Sequence, residues 1–126
     1  MKGAKIMING NIAEQTGMEA AGQRFILMNK NLNTNTRKKA WGIKIKKFGG
    51  WIGIGISLKK QIATANYNFH YTVLGHGSYL ISTNGYSWSH SEKEFNSAFK
   101  CFTFSVGDTV YMEYNPHTRK LKFRKN

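Results

Sequence analysis

Between Phe102 and Phe123 the chain places an apolar residue at nearly every second position. Phe102, Phe104 and Val106 alternate with Thr103 and Ser105; Val110, Met112 and Tyr114 repeat the period; Leu121 and Phe123 close it. A helix returns to one face every three or four residues, whereas a strand sends successive side chains to opposite sides. Period two therefore predicts strands with one half-buried face. Gly107-Asp108 and Asn115-Pro116-His117-Thr118 interrupt the pattern with turn residues. Glycine opens positive φ, and Asn or Asp side chains bond their own backbone. The stretch reads as a β-hairpin of an all-β domain and carries no catalytic group.

The same period recurs upstream. Trp41, Ile43 and Ile45 alternate with Gly42, Lys44 and Lys46, predicting a strand with one apolar and one largely basic face. Phe48-Gly49-Gly50 turns the chain into Trp51–Leu58, where Ile52, Ile54, Ile56 and Leu58 share a side. Gly53 and Gly55 leave the other side nearly bare, so a backbone or a large ring can approach closely. Residues 25–28, Asn68–Val73 and Ser78–Thr83 are further strand candidates, and the opening residues read as a strand turning at Asn9-Gly10. Asn29–Thr36 is rich in side chains that compete for backbone hydrogen bonds and is expected to be a loop. Ser91-x-x-Glu94 spells a capping box, but the residues after it support only about one turn of helix. Residues 1–126 contain no linker, repeat or low-complexity block and read as one domain. Two packed antiparallel sheets are expected.

In their order and spacing, three segments resemble the SPRY domain family: Trp51-Ile-Gly-Ile-Gly-Ile56, Gly77 to Trp88, and Gly107-Asp108 to Phe123. The resemblance runs over about residues 40–126, and more loosely back to Lys5. It implies an antiparallel β-sandwich that grips short protein segments with loops at one end, as immunoglobulin-type modules do. Carried over by position, it assigns partner binding to Tyr79, Asn84, Tyr86, Ser87 and Trp88, around the Asn84-Gly85 turn. Core packing is the competing role for these aromatics, and for Tyr67, Phe69 and Tyr71, which alternate as along a strand. SPRY domains continue beyond the Leu-x-Phe strand. The resemblance thus implies that final strands are lacking, and that a longer chain or a larger assembly covers the exposed edge.

Composition supports no enzymatic reading. The chain has six carboxylates, too few and too scattered to suggest an acid/base pair. Gly50-x-x-Gly53-x-Gly55 and Gly75-x-Gly77 lack the strand–helix setting of a dinucleotide fingerprint and the Gly-Lys-Ser/Thr of a P-loop, so they read as structural glycines. His70, His76, His90, His117 and Cys101 lack the short spacings of a zinc site, and no metal or cofactor is expected. Cys101 lies among phenylalanines, where a small buried or edge thiol is ordinary. One cysteine rules out an internal disulfide framework and suits a reducing compartment. No run of apolar residues is long enough for a membrane span, and residues 1–23 resemble neither a secretory signal nor an Arg-rich presequence. An intracellular protein, in cytoplasm or nucleus, is the expectation.

Charge is the other constraint. Nineteen Lys and Arg face six Asp and Glu, a formal net charge of +13. No acid lies between Glu19 and Glu92. Arg37, Lys38, Lys39, Lys44, Lys46, Lys47, Lys59 and Lys60 form a candidate basic patch, within which Lys44 and Lys46 should share a strand face opposite Ile43 and Ile45. Such a field attracts polyanions and governs association rather than fold. Two functions fit this sequence. The first is a non-catalytic adaptor or assembly subunit that binds a partner protein segment. The alternative is a basic structural subunit that contacts RNA or DNA phosphates in a larger complex.

Overall fold

Most of the alternating segments pair into sheets. The computed structural model describes residues 6–15, 25–27, 32, 37–47 and 49–126. Of the described residues 42% are strand and 9% helix, so the all-β class holds. Strands β1 (Ile6–Asn9) and β2 (Ile12–Gln15) form a separate hairpin that turns at Gly10, with φ +59°. Strand β3 (Lys39–Lys44) pairs antiparallel with β8 (Thr109–Asn115), and β8 with β9 (Lys120–Lys125). A second sheet runs in the order β4 (Gly53–Ser57), β5 (Ser78–Ser82), β6 (Tyr86–Ser89), β7 (Ala98–Phe99), also antiparallel.

The apolar faces of the two larger sheets share one core. Ile45, Ile54, Ile81, Phe104, Val110 and Met112 are buried together, with Trp41, Ile43, Leu121 and Phe123 packed against them. These are the residues that period two places on one side of each strand. Burying each such side chain contributes about 1.5–3 kcal/mol. Leu80, one position before Ile81, points the other way into a second cluster with Phe69 and Trp88. Strand β5 is thus buried on both faces.

Two-sided burial explains the glycines of β4. A Cβ on Gly53 would lie 2.7 Å from the Trp51 ring and 2.8 Å from Leu80 Cδ1. A Cβ on Gly55 would strike the β5 backbone at the Tyr79 carbonyl and Leu80 Cα. The approach of a ring and of a backbone to the bare side of β4 is therefore what forms.

Other expectations require correction. Asn68–Val73 is not a strand: Asn66 and Tyr67 take positive φ (53° and 60°), which breaks the alternation of Tyr67, Phe69 and Tyr71. Phe102–Val106 runs without a ladder; Phe104 N–H bonds the Thr83 carbonyl at 3.2 Å, and Val106 is exposed in the turn. Residues 25–27 make a single bridge, with Phe25 N–H on the Tyr67 carbonyl at 3.0 Å. A short helix, α1 (Lys59–Thr64), is anchored by fully buried Ile62; the sequence pattern predicts no element there after the Trp51–Leu58 strand. The capping box gives one 3₁₀ turn, Lys93–Phe95, and Ser89 rather than Ser91 accepts from the Glu92 N–H, at 3.0 Å. Met28, Phe48 and most of Asn29–Thr36 lie outside the described residues.

Gly53→Ala should cost about 1–3 kcal/mol, because side-chain ends can shift to admit a methyl group. Gly55→Ala should cost more or abolish folding, since the clash there is with backbone. Urea denaturation of the two variants tests this order; equal, mild losses would refute it.

Candidate functional site

The outer side of the four-stranded sheet carries the aromatic concentration of the chain. In register, Leu80 faces Trp88 across β5 and β6, and Trp88 projects away from the shared core. Trp51 reaches the same side because Thr83 and Ile52 fasten the entry to β4: Thr83 N–H donates to the Ile52 carbonyl at 3.0 Å, and Ile52 N–H to Thr83 Oγ1 at 3.4 Å. Phe69 and Tyr71 come from the 66–77 connection. Trp51 stacks on Phe69 at 5.9 Å, Phe69 meets Trp88 edge-on at 5.6 Å, and Tyr71 meets Trp88 edge-on at 5.3 Å. With Asn84 at the lip, Trp51, Phe69, Tyr71 and Trp88 line a cleft of about 180 Å³.

One side chain ties the connection to the sheet. Asn96 Oδ1 accepts from Ser89 N–H at 3.1 Å and bonds His76 Nε2 at 2.8 Å, while its amide nitrogen donates to the Tyr71 carbonyl at 3.1 Å. At the floor, Ser82 Oγ accepts the Trp88 indole N–H at 3.1 Å and donates to Asn84 Oδ1. Cleft floor and lip are thus joined by one hydroxyl. No signal in the sequence distinguishes Asn96 or Trp51 as part of a site; each acts through the tertiary fold.

The five positions expected to bind a partner do not converge. Asn84, Tyr86 and Trp88 lie on the cleft side, and Tyr86 stacks on Trp88 at 6.2 Å. Tyr79 and Ser87 project from the opposite face: Tyr79 hydroxyl bonds Ser91 Oγ at 3.0 Å, and Ser87 Oγ donates to the Phe95 carbonyl at 2.8 Å. Tyr86, Ser87 and Trp88 belong to strand β6 rather than to a loop, and Trp88 is only 8% exposed. Its indole is therefore a wall rather than a projecting anchor. Tyr71 and Phe99, 38% and 68% exposed, are aromatics that solvent reaches on this side of the sheet.

The basic patch also divides. Lys38 and Lys44 are exposed beside the solvent face of β3, and Lys38 lies 3.8 Å from Glu113. Lys39 has the parity of the half-buried Trp41 and Ile43. Lys46 and Lys47 are exposed beyond the strand, Arg37 is exposed before it, and Lys59 and Lys60 sit on α1. A wider hollow of about 560 Å³ adjoins Lys60; two of its polar side chains bond locally, Gln61 Nε2 donating to the Gly75 carbonyl and Thr64 Oγ1 to the Lys60 carbonyl. Burial pushes the Cys101 thiol up, which keeps it in its less nucleophilic form. Among the described residues, no helix is long and apolar enough to cross a membrane. No family model, no curated protein and no solved structure matches the chain.

His76 backs the cleft, edge-on to Phe69 at 5.0 Å. Its Nδ1 accepts the Ser78 N–H at 3.2 Å, so the neutral ring with Nε2–H toward Asn96 fits the network. Burial holds its pKa below the ordinary histidine value, the Asn96 bond opposes that shift, and nearby His90 adds to it. A lowered folded pKa means that the unfolded chain takes the proton first, so stability falls as pH drops below about 6.5. Urea midpoints should therefore decline from pH 7.5 to 5.5, and less steeply in His76→Gln than in the wild type. An identical pH dependence in both proteins would remove His76 from this role.

Proposed function

We propose that the protein is a non-catalytic interaction module whose aromatic cleft receives one apolar side chain of a partner protein segment. The cleft carries this reading. At about 180 Å³ it falls below the roughly 300–1,000 Å³ typical of small-molecule and cofactor sites, and it suits a single large side chain. Four aromatic walls supply apolar contact and Asn84 supplies a polar rim, the arrangement of a buried anchor position at a protein interface. Net charge of +13 favours acidic residues on either side of the anchor. The SPRY resemblance supports the same reading through the Asn84–Trp88 segment, within a sandwich of two sheets. Trp51 and Tyr71 would then replace Tyr79 and Ser87 in the expected binding set.

Selection from a random peptide display library should enrich segments with a shared large apolar residue flanked by Asp or Glu. Tyr71→Ala should weaken the best of them by at least about ten-fold with only a modest fall in thermal midpoint, because it removes the ring contacts with Phe69 and Trp88 but keeps the Asn96 bond to the Tyr71 backbone. Enriched peptides indifferent to Tyr71→Ala and Trp51→Ala, or no enrichment at all, would sink the assignment.

A further inference from the structure

The solvent face of the other sheet carries a different chemistry. In register across three strands lie Gly42, Tyr111 and Arg124. Tyr111 is the central member and is 36% exposed. One edge of its ring lies over Gly42, where a Cβ would stand 3.0 Å from both Cδ1 and Cε1. From the other neighbouring strand the Arg124 guanidinium stacks on the ring, 4.2 Å from its centroid. The glycine, the ring and the guanidinium make a platform of stacked planes on an open sheet.

Cations surround it. Lys120, Lys122 and Arg124 take alternate positions of β9, all exposed, about 6.8 Å apart along the strand. Lys44 stands on the same face of β3, and Lys38 adjoins its start. Glu113, paired with Lys122 in register and 3.8 Å from Lys38, is the one carboxylate among the described residues of this face. In the sequence, Leu121 and Phe123 define β9 by their apolar period, and the cations between them keep that same period on the opposite side. Period two marks both sides of a strand equally.

We propose that the outer face of the β3–β8–β9 sheet is a binding surface for single-stranded nucleic acid, with a base stacked on the Tyr111–Arg124 platform and phosphates held by Lys44, Lys120 and Lys122. Lysines alone would attract any polyanion. The platform selects among them, since aromatic rings and guanidinium planes stack on unpaired bases, which a duplex keeps inside its own stack. The surface lies on the side of the core away from the cleft, so the two can be tested separately.

Fluorescence anisotropy with a labelled single-stranded RNA 12-mer, a duplex of the same length and polyglutamate tests the proposal. The single strand should bind most tightly, with a log–log salt slope of about 0.7 for each phosphate neutralised. Lys120→Gln/Lys122→Gln should lower the affinity and reduce the slope by about one to one and a half. Tyr111→Ala should lower affinity about ten-fold with little change in slope, and Tyr111→Phe should retain it. Lys59→Gln/Lys60→Gln, on α1, should bind like the wild type. Equal or tighter binding of duplex would overturn the stacking role, and tighter binding of polyglutamate would make this a surface for acidic protein. No binding of the single strand, or an equal loss in the α1 variant, would overturn the site itself. Because Tyr111 and the lysines are exposed, circular dichroism should show all four variants folded; if Tyr111→Ala is not, Tyr111→Phe against the lysine variant still decides.

Discussion

Everything in this molecule leans on β5. Of its five residues, Ile81 enters the core shared with the β3–β8–β9 sheet, while Leu80 supports the aromatic cluster behind it. A strand covered on both faces cannot alternate apolar with exposed polar residues. Its polar members must find partners inside the protein, because an unsatisfied buried hydroxyl costs about 1–3 kcal/mol. Fully buried Ser78 bonds Ser57 Oγ at 2.9 Å, and fully buried Ser82 serves Trp88 and Asn84. No buried side-chain polar atom among the described residues lacks a partner. Small hydroxyl residues thus permit close layers without orphaned dipoles.

The neighbouring strand meets the same demand in another way. With the bare side of β4 pressed against Trp51, Leu80 and the β5 backbone, neither glycine of that strand has space for a side chain. At the far end of the core, Asp108 secures the turn into β8: it accepts from Asn126 Nδ2 at 2.8 Å and from Ser105 N–H at 2.8 Å. Those bonds, the Asn126 one foremost, hold its carboxyl below the usual carboxylate range. Turn chemistry and tight packing therefore fix the two ends of the layered structure, and the surfaces proposed for binding occupy its two outer sides.

How much of this could be read from the chain varies with the range of the interaction responsible. Val110, Met112, Leu121 and Phe123 announced their strands because both the signal and the pairing are local to one hairpin. Ile54 was equally legible, since its period of two survives whatever the partner strand is. Helix α1 was not, for six residues hold less than two helical turns and only Ile62 is buried. Alternation of Tyr67, Phe69 and Tyr71 suggested a strand, but positive φ at Asn66 and Tyr67 bends the chain so that Phe69 and Tyr71 cross over β6 instead. Of the expected binding set, Asn84, Tyr86 and Trp88 share the cleft side and Tyr79 and Ser87 do not. The rest of the cleft depends on Asn96 and the Ile52–Thr83 clasp, contacts far apart in sequence that no short pattern encodes.

The hydroxyl of Ser82 has a consequence beyond satisfying its neighbours. It accepts a hydrogen bond from the indole N–H at the base of the cleft and donates one to the amide oxygen at the rim, so the two are held in fixed orientation. In the proposed role, a cleft prepared in this way would give up little rotational freedom on association, and affinity would rest on the fit of the guest rather than on ordering the host. Such a site would discriminate by shape: a side chain that fills the aromatic walls would be held by a rim already set, and a poorer one would gain nothing from rearrangement.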